Sequence, residues 1–242
     1  MRTVRIYEPS NLSLGLQTTL GADGAGHVER VLRMNVGDPL VLFNGDGQEY
    51  DCVITECSRK NVAVMVNAIR PNNTESPLKI HLGQVMSRGD KMDFTIQKAI
   101  ELGVTEITPL ISIRCGVKLQ ADRLAKKQET YQKIVISACE QSGRAVVPKV
   151  NPIMDIKDFL AESTTAIGLT LNPYANLRIR DLKATCHDFR LLIGPEGGFD
   201  KAETKLAADN NYLDVQLGPR ILRTETAALV AISILQSTLG DL

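Results

Sequence analysis

A chain of 242 residues with 43% hydrophobic and 23% charged side chains has the composition of one large or two modest globular domains, which excludes a disordered, collagenous or bilayer-embedded chain. Lys+Arg and Asp+Glu are both 28, so a polyanionic partner has to be met by a local patch and not by bulk charge. Five cysteines without a C-x-x-C pair and three dispersed histidines offer neither a disulfide framework nor metal-ligand spacing. The first residues lack the apolar core of a signal peptide, and no run approaches the roughly 20 apolar residues of a span. The expectation is a cytoplasmic protein with no membrane contact and no metal.

Up to about residue 72 the chain reads as strands and turns. Arg2–Ile6 alternates, a helical piece over His27–Met34 stops at Gly37-Asp38, and Leu40–Phe43 is a short apolar run. Asn44-Gly45-Asp46-Gly47 is a hairpin turn into Glu49–Thr55, and Val62–Ile69 is another strand. A small β-barrel or sandwich is predicted. The polar stretch Arg70–Pro77, with two prolines and no apolar residue, has the composition of an interdomain linker.

Strands then alternate with helices, the pattern of a parallel α/β sheet. Leu78–Met86 is a strand, Lys91–Gly103 a helix, Glu106–Ile111 a strand and Ala121–Ser142 a long helix. Along that helix Lys118, Arg123, Lys126, Lys127 and Lys133 gather as a solvated face. Ala166–Leu171, Arg190–Ile193 and Leu213–Leu217 supply further strands. Asp200 and Glu203 have capping-box spacing, and Glu225–Leu239 closes the chain as a helix whose apolar face is broad enough for two neighbours.

Two segments carry chemistry. Arg190–Ile193 runs into Gly194-Pro195-Glu196-Gly197-Gly198-Phe199, which exposes main chain at the carboxyl end of a strand, where open α/β sheets bind ligands. Pro195 and Glu196 at its centre do not suit a phosphate cradle, and neither a G-x-G-x-x-G fingerprint nor a Walker loop is present. The second segment, Leu217–Ala227, packs Arg220, Arg223, Thr224, Glu225 and Thr226 between apolar stretches. Thr224 is placed to cap the last helix, with Glu225 in its first turn. Gln97–Gly103 and Ala138–Arg144 each set an acid, an amide and a base within two helical turns; taken alone they read as surface.

Together and in this order these segments resemble the RsmE family of bacterial 16S rRNA (uracil-N3)-methyltransferases, in the SPOUT superfamily. The resemblance is carried by His27 with Val31-Leu32-Arg33, by Gln97-Lys98 with Glu101-Leu102-Gly103-Val104, and by Glu140-Gln141-Ser142-Gly143-Arg144. Ile193–Phe199 and Leu217–Ala227 complete it. It spans essentially the whole chain. Two departures are Tyr131, where the family often has Trp, and Ser112-Ile113-Arg114-Cys115, where it more often has Ser-Glu-Arg-Ser.

The resemblance implies an N-terminal PUA-like β-barrel (1–72) that binds RNA and a C-terminal α/β SPOUT domain (73–242) with a deep trefoil knot. It implies a homodimer acting on 16S rRNA, within the small ribosomal subunit, with S-adenosylmethionine as donor and S-adenosylhomocysteine as product. By transfer, Leu169, Thr170, Gly194, Gly197, Gly198, Leu217, Ile221, Leu222, Thr224 and Ala227 surround the donor. A nucleophile forms at uridine N3 only if a general base removes its proton or nearby cations stabilise the anion. Glu225 is the leading base and Arg223 the leading anion stabiliser, with Glu101, Glu140 and Arg144 as further candidates. His27, Arg30, Arg33, Lys91, Lys98 and Lys126 are expected phosphate partners in a basic groove. The competing readings are a helix-capping Glu225 with Arg223 paired to Glu196, a tRNA-directed SPOUT enzyme, a non-catalytic RNA-binding dimer, and an unrelated α/β enzyme using a nucleotide cofactor.

Overall fold

Alternating side chains in the first third and β-branched runs in the remainder build two units in the computed structural model, which describes residues 3–58, 61–117, 121–183 and 186–242. Arg2 of the first expected strand and Lys118 of the basic cluster lie outside the described residues. The first unit comprises Met1–Glu75 together with Cys139–Val147, and the second Ser76–Ala138 with Pro148–Leu242.

In the first unit, strands β1 (Arg5–Tyr7), β2 (Gln17–Thr19), β3 (Pro39–Phe43), β4 (Gln48–Cys57) and β5 (Val62–Pro71) form one sheet in the order β1-β3-β4-β5-β2. The β1–β3 pair is parallel and the others antiparallel. Ile6, Leu40, Leu42, Ile54, Val62 and Val64 are the buried side of the alternation and fill one core. The helical piece starts earlier than its composition suggests. Helix α1 (Ala22–Gly26) runs into a π-helical turn at His27–Val31. Glu8 accepts the Gly21 N–H at 2.8 Å and anchors the start. Gly24 is required there by a close approach, since a Cβ would stand 2.9 Å from Ile6 Cγ2. Strand β5 takes in Arg70 and Pro71, and Asn72 and Glu75 are bonded within this unit, so the polar stretch is ordered structure up to that point.

The second unit holds β6 (Lys79–Val85), α2 (Lys91–Glu101), β7 (Glu106–Ile111), the greater part of α3 (Ala121–Ser142), β8 (Lys149–Val150), β9 (Met154–Asp155) and α4 (Ile156–Ala161). It continues with β10 (Ile167–Leu171), β11 (Leu177–Arg178), β12 (Asp188–Ile193), α5 (Lys201–Asp209), β13 (Leu213–Gln216) and α6 (Thr224–Leu239). The strand order is β11-β13-β10-β12-β6-β7-β8, with β9 also on β7, and every pairing is parallel. The α/β class with a parallel sheet is as expected. The two-residue strands and six-residue α4 are too short to leave a periodic signal. Because β13, β10, β12 and β6 are parallel neighbours, the loops leaving their carboxyl ends gather on one edge. Helix α6 packs through Ala228, Ala231, Ile232 and Leu235, and its buried Gln236 donates to Leu102 O (2.9 Å) and accepts from Ser76 Oγ (2.7 Å).

Among the described residues no helix is long and apolar enough to cross a membrane, and no group of three or more His, Cys, Asp or Glu side chains could hold a metal ion.

The amino edge of the sheet is closed by polar pairs. His81 Nε2 lies 2.7 Å from Thr108 Oγ1, and Asn151 Nδ2 reaches Glu106 Oε1 (2.7 Å) and Thr108 Oγ1 (2.9 Å). Arg190 pairs with Glu162 over the Phe159 ring. Burial pushes the His81 pKa down to about 4, against the opposing pull of Glu106. The unfolded chain therefore binds this proton near pH 6.5 and the folded chain does not. Stability is full above that pH and is lost as pH falls toward 4, by on the order of 2–3 kcal/mol. Urea midpoints at pH 7.5 and 4.5 should show that loss, and it should shrink in His81→Gln; an equal loss in both proteins would count against His81.

Candidate functional site

Strand β12 is buried through Leu191, Leu192 and Ile193, and the chain leaves it at Gly194, where a Cβ would stand 3.2 Å from the Phe199 ring. The turn closes with Gly198 N–H donating to Pro195 O (2.9 Å), and Gly198 takes φ +68°, the left-handed region that glycine tolerates. Beyond it the expected capping box is complete. Asp200 accepts from Ala202 N–H (3.0 Å), and Glu203 Oε2 accepts from Asp200 N–H (2.8 Å). Glu203 is 2% exposed because its other oxygen accepts the Ile113 N–H at 2.8 Å. Arg114 donates to Gly197 O (3.0 Å) and lies 3.5 Å from Asp200.

The loop between β13 and α6 returns to this turn. Thr224 does not cap α6, contrary to the expectation: Arg223 is the N-cap residue, without a side-chain capping bond. The buried Thr224 hydroxyl instead donates to Gly194 O (2.7 Å) and accepts from Gln84 Nε2 (3.0 Å). A capping hydroxyl would have had to face its own helix; this one is drawn to a carbonyl exposed by the glycine turn. Gln84 sits near the end of β6, and its Oε1 is buried without a hydrogen-bond partner among the described residues.

Charged groups border the join. Lys91, at the start of α2, pairs with Glu196, and its Nζ lies 4.0 Å from Glu225 Oε1. Glu225 Oε2 is buried and accepts no hydrogen bond among the described residues. The Lys91 ammonium, by hydrogen bond and by charge, holds the Glu196 carboxyl below its usual range, and Arg223 and Arg88 act in the same direction. Glu196 thus pairs with Lys91, and Arg223 acts on it only through charge.

The remaining expected residues are distributed as follows. Leu169 is wholly buried, and Thr170 on the opposite face of β10 is bonded to its register partner Asp214, which also accepts from Asn172 (3.0 Å). Leu217, Leu222 and Ala227 are half-buried, and Ile221 is 75% exposed. Glu101 bonds Lys98 at 2.7 Å at the far end of α2, about 15 Å along the axis from Lys91. Glu140 and Arg144 are bonded inside the first unit. Glu140 accepts the Tyr7 N–H (3.1 Å), and burial raises its carboxyl pKa. Arg144 forms a two-pronged pair with Glu75 (2.6 and 3.1 Å). His27 is half-buried in the π-helical turn, Arg30 and Arg33 are exposed beside it, and Lys126 is exposed on α3. Gln84, Arg114 and Asp214 were not anticipated, and Glu203 was expected only as a helix cap, without its bond to Ile113 N–H. Gln84 had a signal, as an amide near the end of the apolar run Leu78–Met86.

Comparison with known proteins places these features in a family. A family described as RNA methyltransferase domain matches residues 74–236, and one described as RNA methyltransferase PUA domain matches residues 21–65. The Buchnera aphidicola (subsp. Schizaphis graminum) protein named Ribosomal RNA small subunit methyltransferase E is 38% identical over 242 residues, covering 100% of this chain and 98% of that one. The Bacillus subtilis protein of the same name is 32% identical over 216 residues, covering 86% and 84%. The Neisseria gonorrhoeae structure of a Ribosomal RNA small subunit methyltransferase E bound to S-adenosyl methionine matches with TM-score 0.93 and 38% identity over 99% of each chain. A Legionella pneumophila structure with bound S-adenosylmethionine matches with TM-score 0.97 and 42% identity over 100% of each.

Replacing Thr224 with Val keeps the shape but removes the donor to the Gly194 carbonyl and leaves one N–H of the Gln84 amide unpaired, the other still donating to Val85 O (3.0 Å), which should lower unfolding free energy by about 1–3 kcal/mol. Denaturant titration checks this, and Thr224→Ser should recover most of the loss.

Proposed function

The chain belongs to the ribosomal RNA small subunit methyltransferase E family, and on that footing we propose that it transfers a methyl group from S-adenosylmethionine to N3 of a uridine in 16S rRNA, giving 3-methyluridine. The observation that carries the reading is the Thr224 hydroxyl joining the glycine turn to the 217–224 loop, beside the uncommitted Oε2 of Glu225. The residues fit such a donor. Gly198 and Gly218 have no atom within 4 Å of where a Cβ would lie, so their main chain is open to a ligand. The donor would be held by the turn 194–198, the loop 217–222 and the ends of β10 and α6.

When bound, the donor supplies an electrophilic methyl group on a sulfonium. The protein must align the acceptor with it and exclude water. Glu225 Oε2 takes the N3 proton, which leaves on nitrogen the electron pair for the new bond, and Arg223 stabilises the negative charge spread over the uracil carbonyl oxygens.

The proposal extends to the organisation of the molecule. The barrel of residues 1–72 would bind RNA through His27, Arg30 and Arg33, and residues 73–242 would carry the chemistry. The 217–224 segment would be threaded as a trefoil knot, which the family resemblance implies. Two copies would pair over α6, where Leu229, Val230 and Ile234 stay only half-buried while the opposite face is packed. A substrate within the small ribosomal subunit goes with a cytoplasmic address.

Mass spectrometry of small-subunit rRNA incubated with protein and labelled donor should find one methyl group, on N3 of one uridine. Glu225→Gln should slow single-turnover methylation by about 100-fold or more with donor affinity within about twofold of the parent. No heat with the donor in calorimetry would favour a non-catalytic RNA-binding dimer, and label in tRNA would redirect the substrate.

A further inference from the structure

The Glu225 carboxylate is asymmetric. Its Oε1 faces the Lys91 ammonium at 4.0 Å, while its Oε2 is buried and accepts no hydrogen bond among the described residues. Lys91 is itself anchored by Glu196 on the glycine turn. One ammonium thus joins the start of α2, the turn after β12 and the first turn of α6. We infer that Lys91 is a positioning residue for methyl transfer: tethered by Glu196, its ammonium engages Glu225 through Oε1 and leaves Oε2 as the oxygen that takes the proton. The inference rests on the reading of Glu225 as the proton acceptor.

Two physical arguments support this role over a structural or an RNA-binding one. Lys91 and Glu196 side chains are 32% and 55% exposed, and ion pairs this open add only about 0–1 kcal/mol to stability. The arrangement is therefore of little use as a fold-stabilising bond. Both of the ammonium's near partners are carboxylates, so its charge is already engaged and is not offered to a phosphate. Charge conservation then defines what Lys91 does during the step. Before transfer the negative charge is on Glu225, facing a cation. As the N3–H bond breaks and the Oε2–H bond forms, that charge passes to the uracil ring, and Lys91 stays on the side of Glu225 that gave it up. A carboxylate without this neighbour is free to turn away from the acceptor, which lowers the fraction of encounters in productive geometry.

The test is single-turnover methylation of unmodified small ribosomal subunits at saturating donor and RNA, using Lys91→Met, Lys91→Arg, Glu225→Gln and the double variant Lys91→Met/Glu225→Gln. The expected result is a rate about tenfold or more below the parent for Lys91→Met, restored to within about threefold by Lys91→Arg. Calorimetric donor affinity, filter-binding RNA affinity and melting temperature should stay close to the parent. On the residual rate of Glu225→Gln, Lys91→Met should add less than about twofold, as required of a residue acting through Glu225. Weakened RNA binding with an unchanged saturated rate would make Lys91 a phosphate contact and overturn the inference. Equal losses in both backgrounds would overturn it as well. A parent-like rate in Lys91→Met beside a crippled Glu225→Gln removes this inference alone, whereas a parent-like rate in Glu225→Gln removes the reading beneath it.

Discussion

The hydroxyl of Thr224 donates to the carbonyl of Gly194 and accepts from the amide of Gln84, and through those two bonds the exits of β12 and β6 and the beginning of α6 share one location. A hydroxyl at this position is what the two bonds require. Valine has the shape without the bonds, and a longer polar side chain would not fit among atoms this closely packed. Gln84 is buried and Gly194 half-buried, so losing the hydroxyl leaves one buried amide N–H without its acceptor, and the join between the glycine turn and the last helix is enforced by desolvation as well as by attraction. Everything said of Glu225 follows from it, since that carboxylate is the next residue along.

A sheet of parallel strands sets the wider frame. Four neighbouring strands release their chains at the same edge, and the polar density there contrasts with the saturated pairs at the opposite edge, where His81, Thr108, Glu106 and Asn151 satisfy one another. The chain has no net formal charge, yet positive and negative groups are not mixed at random around the glycine turn. Lys91, Arg88 and Arg223 all act on one acidic side chain of that turn. Local arrangement, and not total charge, is what distinguishes this edge electrostatically.

Much of the architecture was legible because it is periodic. Glu106–Ile111 and Ala121–Ser142 fold over the limits read from their apolar spacing, and the Asp200–Glu203 box forms as its spacing requires. What escaped were features whose partners are remote. Thr224 looked like a cap because capping is local, whereas its acceptor lies 30 residues upstream. Glu140 and Arg144 looked like members of the α/β part because they lie at the end of its long helix and just past it, yet Tyr7 and Glu75 hold them with the N-terminal residues. The α1 segment was hidden by its own glycines, which argue against a helix until the Ile6 side chain is seen pressing on Gly24. The family resemblance supplied the donor, which is not encoded in periodicity.

Glu203 satisfies two backbone N–H groups from different segments, that of Asp200 at the head of its own helix and that of Ile113 after β7. A buried carboxylate held from both sides is a fixed post, and it pins the downstream end of the glycine turn as firmly as Ile193 in the sheet pins the upstream end. Only the six residues 194–199 lie between the strand and the capped start of α5. Within them Gly198 sits at a left-handed angle open to few other residues, next to the Arg114 contact on Gly197, so a side chain at 198 would strain the one short segment that both held ends leave no room to relax.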